Sequence, residues 1–134
     1  GADAKLVAGN TEVGVDAKFR KMKFPTLVFT KGVDELSRIS VEEPSASGTG
    51  GVTVGGAVTL SNLKAALESE INGARPSHQS RTLQAVLEML KWFASTQIRN
   101  TATLAGNIVT ASPISDTCHI LVAIGATADL AKFD

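Results

Sequence analysis

Two stretches of this chain combine glycine with small hydrogen-bonding side chains, a composition that suits binding of phosphate groups through backbone amides and hydroxyls. The first spans residues 6–14, LVAGNTEVG, where a strand-like apolar run enters Gly-Asn-Thr. The second spans residues 101–116, TATLAGNIVTASPISD, and carries no charge before its last residue. Glycine permits positive φ and asparagine tolerates it, so successive amides can point at one anion, and Thr11 can add a hydroxyl. One such turn ends many ordinary strands, but two in one small chain favour a diphosphate as the ligand.

The polar side chains of the second stretch have two interpretations each. Its hydroxyls are either donors to a diphosphate or ordinary turn-forming groups. Asp116 either accepts hydrogen bonds from a ribose or a base, or simply caps the helix that follows. Phe93, on the apolar face of the preceding helix, is by its spacing a core residue. The donors of this stretch are Thr103, Gly106, Asn107, Thr110, Ser112 and Ser115.

No other residue set indicates a catalytic or metal site. The chain lacks G-x-x-x-x-G-K-S/T, and residues 47–56, SGTGGVTVGG, lack the G-x-G-x-x-G spacing of dinucleotide-binding folds. His78 and His119 are far apart, without cysteine or histidine at ligand spacing, and no G-x-S-x-G is present. Cys118 is expected to be an inert buried thiol. We therefore assign no catalytic residue and no metal ligand in this chain.

The composition argues against several classes of partner. The 134 residues carry 13 basic and 13 acidic side chains, so the formal charge is zero and no basic face for nucleic acid is expected. No apolar run reaches about 18 residues, so no membrane span is expected. One cysteine fits a reducing compartment. The chain begins almost directly in a strand-like run and ends soon after another, so both ends are expected to be interior points of a longer protein.

Periodicity and turn signals predict an α+β fold, with strands before helices and without strict β-α-β alternation. Strands are expected at residues 5–8, 26–29 and 126–130 and in a hairpin of 38–43 with 52–54, while 14–22 stay unassigned. One helix is expected at 60–71, after a Thr59 cap, and a second at 83–94. A third is expected to begin at a Ser115 or Asp116 cap and to end at Ile124, with Gly125 following it. The last helix is apolar nearly all round, so it is expected to be buried.

The order and spacing of two segments resemble a known family. They are LVAGNTEVGVDAKFRKMKFP, residues 6–25, and LEMLKWFASTQIRNTATLAGNIVTASPISD, residues 87–116. Both closely resemble the FAD-binding (PCMH-type) domain of the xanthine dehydrogenase/oxidase group of molybdenum hydroxylases, a type shared with vanillyl-alcohol oxidase and carbon monoxide dehydrogenase flavoproteins. The resemblance covers residues 4–130. It implies one α+β FAD-binding domain over 1–134, truncated at both ends. The first subdomain, at about 1–56, is expected to be α/β, and the second, at 57–134, is expected to be α+β.

The resemblance also implies which residues bind FAD. Phe93 matches an aromatic side chain beside the cofactor, which opposes its interpretation as a core residue, and Asp116 is expected to close the site. The family has two glycines before the asparagine where this chain has Ala105-Gly106-Asn107. If the first glycine needs positive φ, Ala105 costs about 1 kcal/mol; if it only leaves space, a methyl group is tolerated. The implied FAD contacts are Leu6, Val7, Ala8, Gly9, Asn10, Thr11, Glu12, Val13, Phe93, Thr103, Leu104, Ala105, Gly106, Asn107, Val109, Thr110 and Asp116.

The remaining implications concern the whole enzyme. In this family, electrons pass from a molybdopterin centre that hydroxylates hypoxanthine or xanthine, through 2Fe–2S clusters, to FAD and then to NAD⁺ or O₂. The iron–sulfur and molybdenum domains lie outside this chain, and a homodimer in the cytoplasm, or in the peroxisome, is implied. Two alternatives stay open: the equivalent domain of an aldehyde oxidase, and a non-catalytic fragment that binds FAD weakly or not at all.

Overall fold

The chain begins with a β-α-β unit that the sequence did not predict. The computed structural model describes residues 4–43, 50–73 and 77–131. Strands β1 (Ala4–Val7) and β2 (Thr26–Phe29) are parallel, with Val7 opposite Phe29, and helix α1 (Val13–Lys18) connects them. Both strands were predicted. The unassigned segment is helical because two parallel strands need a crossover connection, which a hairpin turn cannot provide.

The predicted hairpin is present. Strands β3 (Ile39–Glu42) and β4 (Gly51–Val54) are antiparallel, with Ile39 opposite Val54. A 3₁₀ turn (Asp34–Ser37) precedes β3. The predicted Gly- and Ser-rich connection falls largely on residues 44–49, which lie outside the described residues.

Two longer helices supply most of the buried core. Helix α2 (Leu60–Asn72) begins as predicted after Thr59, whose hydroxyl accepts the Asn62 amide at 3.2 Å. Helix α3 (Ser77–Trp92) packs against it and ends before Phe93 and Ala94, which were predicted to be helical. No helix in the described parts of the chain is long and apolar enough to cross a membrane. The buried apolar cluster consists of Val58, Leu60, Leu63, Leu67, Val86, Leu90 and Ala102.

Three shorter helices follow, and each begins at a serine or threonine cap. Helices α4 (Thr96–Arg99), α5 (Leu104–Thr110) and α6 (Asp116–Ala123) are capped by the hydroxyls of Ser95, Thr103 and Ser115. Each of these hydroxyls accepts the amide three residues ahead, which satisfies a donor that the first helical turn leaves free. The stretch 101–116, interpreted from sequence as a loop, is therefore helical over its middle part.

Two predictions for the last part of the chain are wrong. Helix α6 is not buried all round: Thr117 is fully buried, but Val122 is 80% exposed. The reason is that, among the described residues, α6 packs mainly on α3 and α5, which cover one side of it. Residues 126–130 do not form a strand, because no described strand pairs with them, and Leu130 is 94% exposed.

The β1–β2 pair meets the helical part of the chain at Gly9. A methyl group at this position would lie 2.0 Å from the carbonyl oxygen of Thr101 and 2.9 Å from the Cα of Ala102. The next residues of that segment pair with the start of α2: Thr59 and Thr103 form an isolated antiparallel bridge, and Ala102 accepts the Leu60 amide at 2.9 Å. The close contact at Gly9 thus connects the turn after β1 to the segment that leads into α5.

Replacing Gly9 with alanine is expected to separate these two segments. Because the new methyl group would overlap backbone atoms, which cannot move aside as a side-chain tip can, we expect a loss of more than about 3 kcal/mol in the free energy of unfolding. Urea denaturation followed by circular dichroism measures this loss.

The matched control is Gly51→Ala in β4, where nothing lies within 4 Å of the added methyl group. It is expected to change the free energy of unfolding by less than about 0.5 kcal/mol. Equal unfolding midpoints for the two variants would show that the contact at Gly9 is not tight.

Candidate functional site

The two polar stretches meet on one cavity with a volume of about 510 Å³, within the range typical of small-molecule sites. Asn10 from the first stretch and Asn107 from the second both line it. Fourteen of the residues implied by the family resemblance are in the lining. They are Leu6, Val7, Ala8, Gly9, Asn10, Thr11, Glu12, Val13, Phe93, Thr103, Gly106, Asn107, Val109 and Thr110.

The turn after β1 presents unpaired donors to this cavity. Asn10 adopts the left-handed conformation, with φ of 58°, whereas Gly9 does not and is needed for its lack of a side chain. In the described part of the chain, the amides of Asn10, Thr11 and Glu12 donate to no protein acceptor, and the Thr11 hydroxyl has no partner. Amides without partners beside a cavity are suited to bind anionic or carbonyl oxygens of a ligand.

The start of α5 forms the facing wall. Thr103 is 3% exposed, and its hydroxyl oxygen accepts the Gly106 amide at 3.0 Å, so its proton is left to donate elsewhere. A methyl group at Gly106 would lie 2.9 Å from that hydroxyl oxygen. A side chain at this position would therefore displace the capping hydroxyl.

The alanine that replaces a family glycine is not strained. Ala105 lies in the first turn of α5 and is not among the described residues with positive φ, so the strain considered from sequence is absent. Its methyl group lies beside Gly56, where an added Cβ would be 3.5 Å away, an ordinary van der Waals contact.

The amide of Asn107 is held by helix α6. Its Oδ1 accepts hydrogen bonds from the hydroxyl of Ser115, at 2.6 Å, and from the hydroxyl of Thr117. Both hydroxyls lie behind the cavity wall, since neither residue lines the cavity. The side chain of Asn107 therefore has one edge bound to protein and the other free.

Phe93 lies between the apolar core and the cavity. It is half-buried, packs against the apolar core, and also lines the cavity. The guanidinium of Arg99 fixes this corner by donating to the carbonyl oxygens of Phe93, at 2.6 Å, and Ala94, at 2.9 Å. The aromatic ring is thus held between the core and the space where a ligand would lie.

Charged residues missed by the sequence analysis also line the cavity. Arg20 donates to Asp16 at 2.7 Å and to Glu12 at 3.5 Å. With Lys5, the cavity holds two cationic and two anionic side chains, whose formal charges cancel. Asp16 lies in α1, whereas Arg20 lies in the turn just after it, so this ion pair spans the end of the helix. The other lining residues missed are Ala94, Ile98 and Ala102.

Three of the implied contacts are not in the cavity lining. Leu104 packs against the apolar core, and Ala105 faces Gly56. Asp116 is exposed at the first position of α6, where Ser115 and not Asp116 is the cap. Asp116 is thus absent from the cavity lining, and its contact with FAD stays a prediction. Among the described residues there is also no group of three or more metal-ligating side chains.

These features fit the diphosphate and the ring system of a flavin dinucleotide. Unpaired amides and hydroxyls from two walls line one space, and an added Cβ at Gly9 or at Gly106 would overlap neighbouring protein atoms. The two acidic side chains of the cavity, Glu12 and Asp16, are already paired with Arg20, so no additional cation is needed to balance their charge.

Known proteins show the same combination of sequence and fold. The family model described as the FAD binding domain in molybdopterin dehydrogenase matches residues 1–134. The chain is 39% identical over 132 residues to a xanthine dehydrogenase/oxidase of Gallus gallus, which covers 98% of this chain and 9% of that protein. It is 42% identical over 128 residues to a xanthine dehydrogenase of Oryza sativa subsp. japonica, covering 96% of this chain and 9% of that protein. The chain therefore spans less than a tenth of the length of these relatives.

Solved structures agree on the fold. A chain of carbon monoxide dehydrogenase from Hydrogenophaga pseudoflava, lacking the Mo-pyranopterin moiety of the molybdenum cofactor, superposes with a TM-score of 0.62 at 27% identity, over 84% of this chain and 34% of that one. A Cu,Mo-CO dehydrogenase chain gives a TM-score of 0.61 at 22% identity, over 85% and 34%, which shows the fold alone. The resemblance inferred from the sequence is confirmed: the chain belongs to the family of FAD-binding domains of molybdopterin dehydrogenases.

Proposed function

We propose that this chain is the flavin-holding part of a xanthine dehydrogenase/oxidase-type enzyme. In that enzyme, FAD receives electrons from iron–sulfur clusters and delivers them to NAD⁺ or O₂ while a purine is hydroxylated at a molybdenum centre on another domain. The observation that carries the proposal is the meeting of the turn after β1 and the start of α5 on one cavity. The identity of 39–42% with xanthine dehydrogenases supports a purine as substrate.

The cofactor supplies the redox chemistry, and this chain supplies binding and orientation. The amides of residues 10–12 and the Thr11 hydroxyl are placed to donate to the diphosphate from one wall. Thr103 and Asn107 are placed to donate from the other. Phe93 offers an aromatic ring in the cavity lining, with the apolar core packed behind it. No proton transfer is assigned to a residue of this chain.

Three further properties of the enzyme are proposed on the family resemblance. The enzyme is proposed to use NAD⁺ or O₂ as its electron acceptor and to assemble as a homodimer. It is proposed to lie in the cytoplasm, with the peroxisome as the alternative. Each belongs to the full-length protein and depends on domains that this chain does not contain.

Replacing Thr11 with valine is expected to weaken FAD binding by about tenfold or more. The variant removes a hydroxyl without changing side-chain volume, and a hydrogen bond to a charged group contributes about 1.5–3 kcal/mol. Replacing Thr103 with valine is expected to weaken binding and also to destabilise the fold by about 1 kcal/mol, since that hydroxyl caps α5. Titration of each protein with FAD, followed by flavin fluorescence and visible absorbance, measures the affinity.

Thermal melts separate the two effects, because only the Thr103 variant is expected to melt earlier. Thr53→Val, on the exposed side of β4, is the matched control and is expected to bind as the unmodified chain does. Unchanged affinity in Thr11→Val would remove Thr11 from the site. A colourless unmodified chain, unaffected by added FAD, would favour the alternative of a fragment that does not hold the cofactor.

The full-length protein that contains this chain is expected to reduce NAD⁺ or O₂ with xanthine as the electron donor. Absorbance at the wavelengths of NADH and of urate follows the two products in one assay. Turnover of an aromatic aldehyde with no turnover of xanthine would instead identify an aldehyde oxidase. A Thr11→Val substitution in the full-length protein is expected to slow acceptor reduction while leaving reduction of the iron–sulfur clusters by substrate unchanged.

A further inference from the structure

Helix α6 carries two buried hydroxyls that hydrogen-bond to one residue of the cavity wall. Thr117 is 0% exposed and Ser115 is 5% exposed. Their hydroxyl oxygens lie 3.3 Å apart, and both donate to Oδ1 of Asn107. A fully buried threonine on a short helix is an unusual placement, because a valine would fill the same volume without a polar atom to satisfy.

The neighbouring hydrogen bonds determine which edge of the Asn107 amide faces α6. The Ser115 hydroxyl oxygen accepts the Cys118 amide at 3.2 Å, and its proton is donated to Oδ1 of Asn107 at 2.6 Å. The Asn107 oxygen is consequently the acceptor, and its NH₂ group lies at the opposite edge of the planar amide. Within the described residues this NH₂ group has no protein acceptor, and Asn107 lines the cavity.

We infer that Thr117, together with Ser115, is a positioning residue that fixes the Asn107 side chain so that its NH₂ group donates to an acceptor oxygen of the bound flavin dinucleotide. The inference rests on the proposed function, because it needs the dinucleotide in the cavity. Neither hydroxyl touches the cavity itself. They act only through the orientation of Asn107.

The orientation matters because an asparagine amide offers opposite groups at its two edges. A rotation by half a turn would present the amide oxygen to a ligand oxygen, which replaces an attractive contact with a repulsive one. The two hydroxyls that donate to Oδ1 oppose this rotation before the ligand binds. The side chain is therefore already ordered, and its ordering does not reduce the free energy of binding.

The test replaces Thr117 with valine, which removes the donor and keeps the shape. FAD affinity is expected to fall about 3- to 10-fold, the effect of one neutral hydrogen bond. Thr117→Ser keeps the donor and is expected to bind within about twofold of the unmodified chain. In a background of Asn107→Ala, the valine substitution is expected to have no further effect beyond about twofold, since its target is gone.

Equal losses in the two backgrounds would show that Thr117 acts through general structure and would overturn the inference. Unchanged affinity in Thr117→Val would overturn it as well, while FAD binding by the unmodified chain would leave the proposed function standing. No FAD binding by the unmodified chain would overturn the inference for this chain, whereas the proposed function is decided separately by the xanthine assay on the full-length protein.

A second measurement needs no FAD. In the ¹⁵N-labelled chain, the side-chain NH₂ signals of Asn107 are identified by their loss in Asn107→Ala. They are expected to shift in Thr117→Val and to stay in place in Thr117→Ser. Signals unchanged by the valine would contradict a hydroxyl that holds the amide.

Discussion

The backbone at Gly9 lies so close to Thr101 that a Cβ atom on residue 9 would be only 2.0 Å from the Thr101 carbonyl oxygen. This contact forces the turn after β1 against the segment that precedes α5, and the rest of the site follows from it. Gly9 allows the approach, Asn10 then takes the left-handed conformation, and the amides of the next residues remain without protein acceptors. The two walls of the cavity belong to segments about ninety residues apart in the chain, and this contact brings them together.

The cavity is lined largely by neutral groups, and the formal charges of its four ionic side chains cancel. Amides, threonine hydroxyls and one asparagine face the cavity, while Arg20 pairs with Glu12 and Asp16 at its edge. Such an arrangement suits a cofactor that must stay bound while its charge and protonation change. Fixed neutral donors do not themselves titrate near neutral pH, so their contacts persist through the cycle.

Sequence alone predicted the elements whose signals are local. The caps Thr59 and Ser115, the apolar stripe of α2 and the alternation of β3 and β4 each depend on a few neighbouring residues. It missed α1, because the mixed sequence there shows little periodicity. It also missed α5, because the glycine and β-branched residues of that segment disfavour a helix, although the Thr103 cap supports one. It also predicted a strand at 126–130, because alternation shows that a segment can pair but not that a partner is present. The division at about residue 56 stays a prediction.

The residues of the candidate site were likewise predicted in part and missed in part. The resemblance indicated most of the lining, but Asp16 was missed with helix α1, and Arg20 was missed with the turn that follows it. The contact of Asp116 with FAD stays a prediction. The hydroxyl pair behind Asn107 joins residues ten apart through three side chains, a contact that depends on how α5 and α6 cross. The spacing of residues along the sequence does not reveal how two helices cross, so this contact could not be predicted from it.

The cancelling charges of the cavity have a consequence for how the flavin is held. A ligand gripped by lysine and arginine is released by salt, because counterions screen the attraction over about 8–10 Å. A diphosphate held by amides and hydroxyls in a partly enclosed space has little such attraction to lose. Concentrated sodium chloride is therefore expected to leave the yellow colour on the protein, and agents that loosen the backbone itself are expected to strip it.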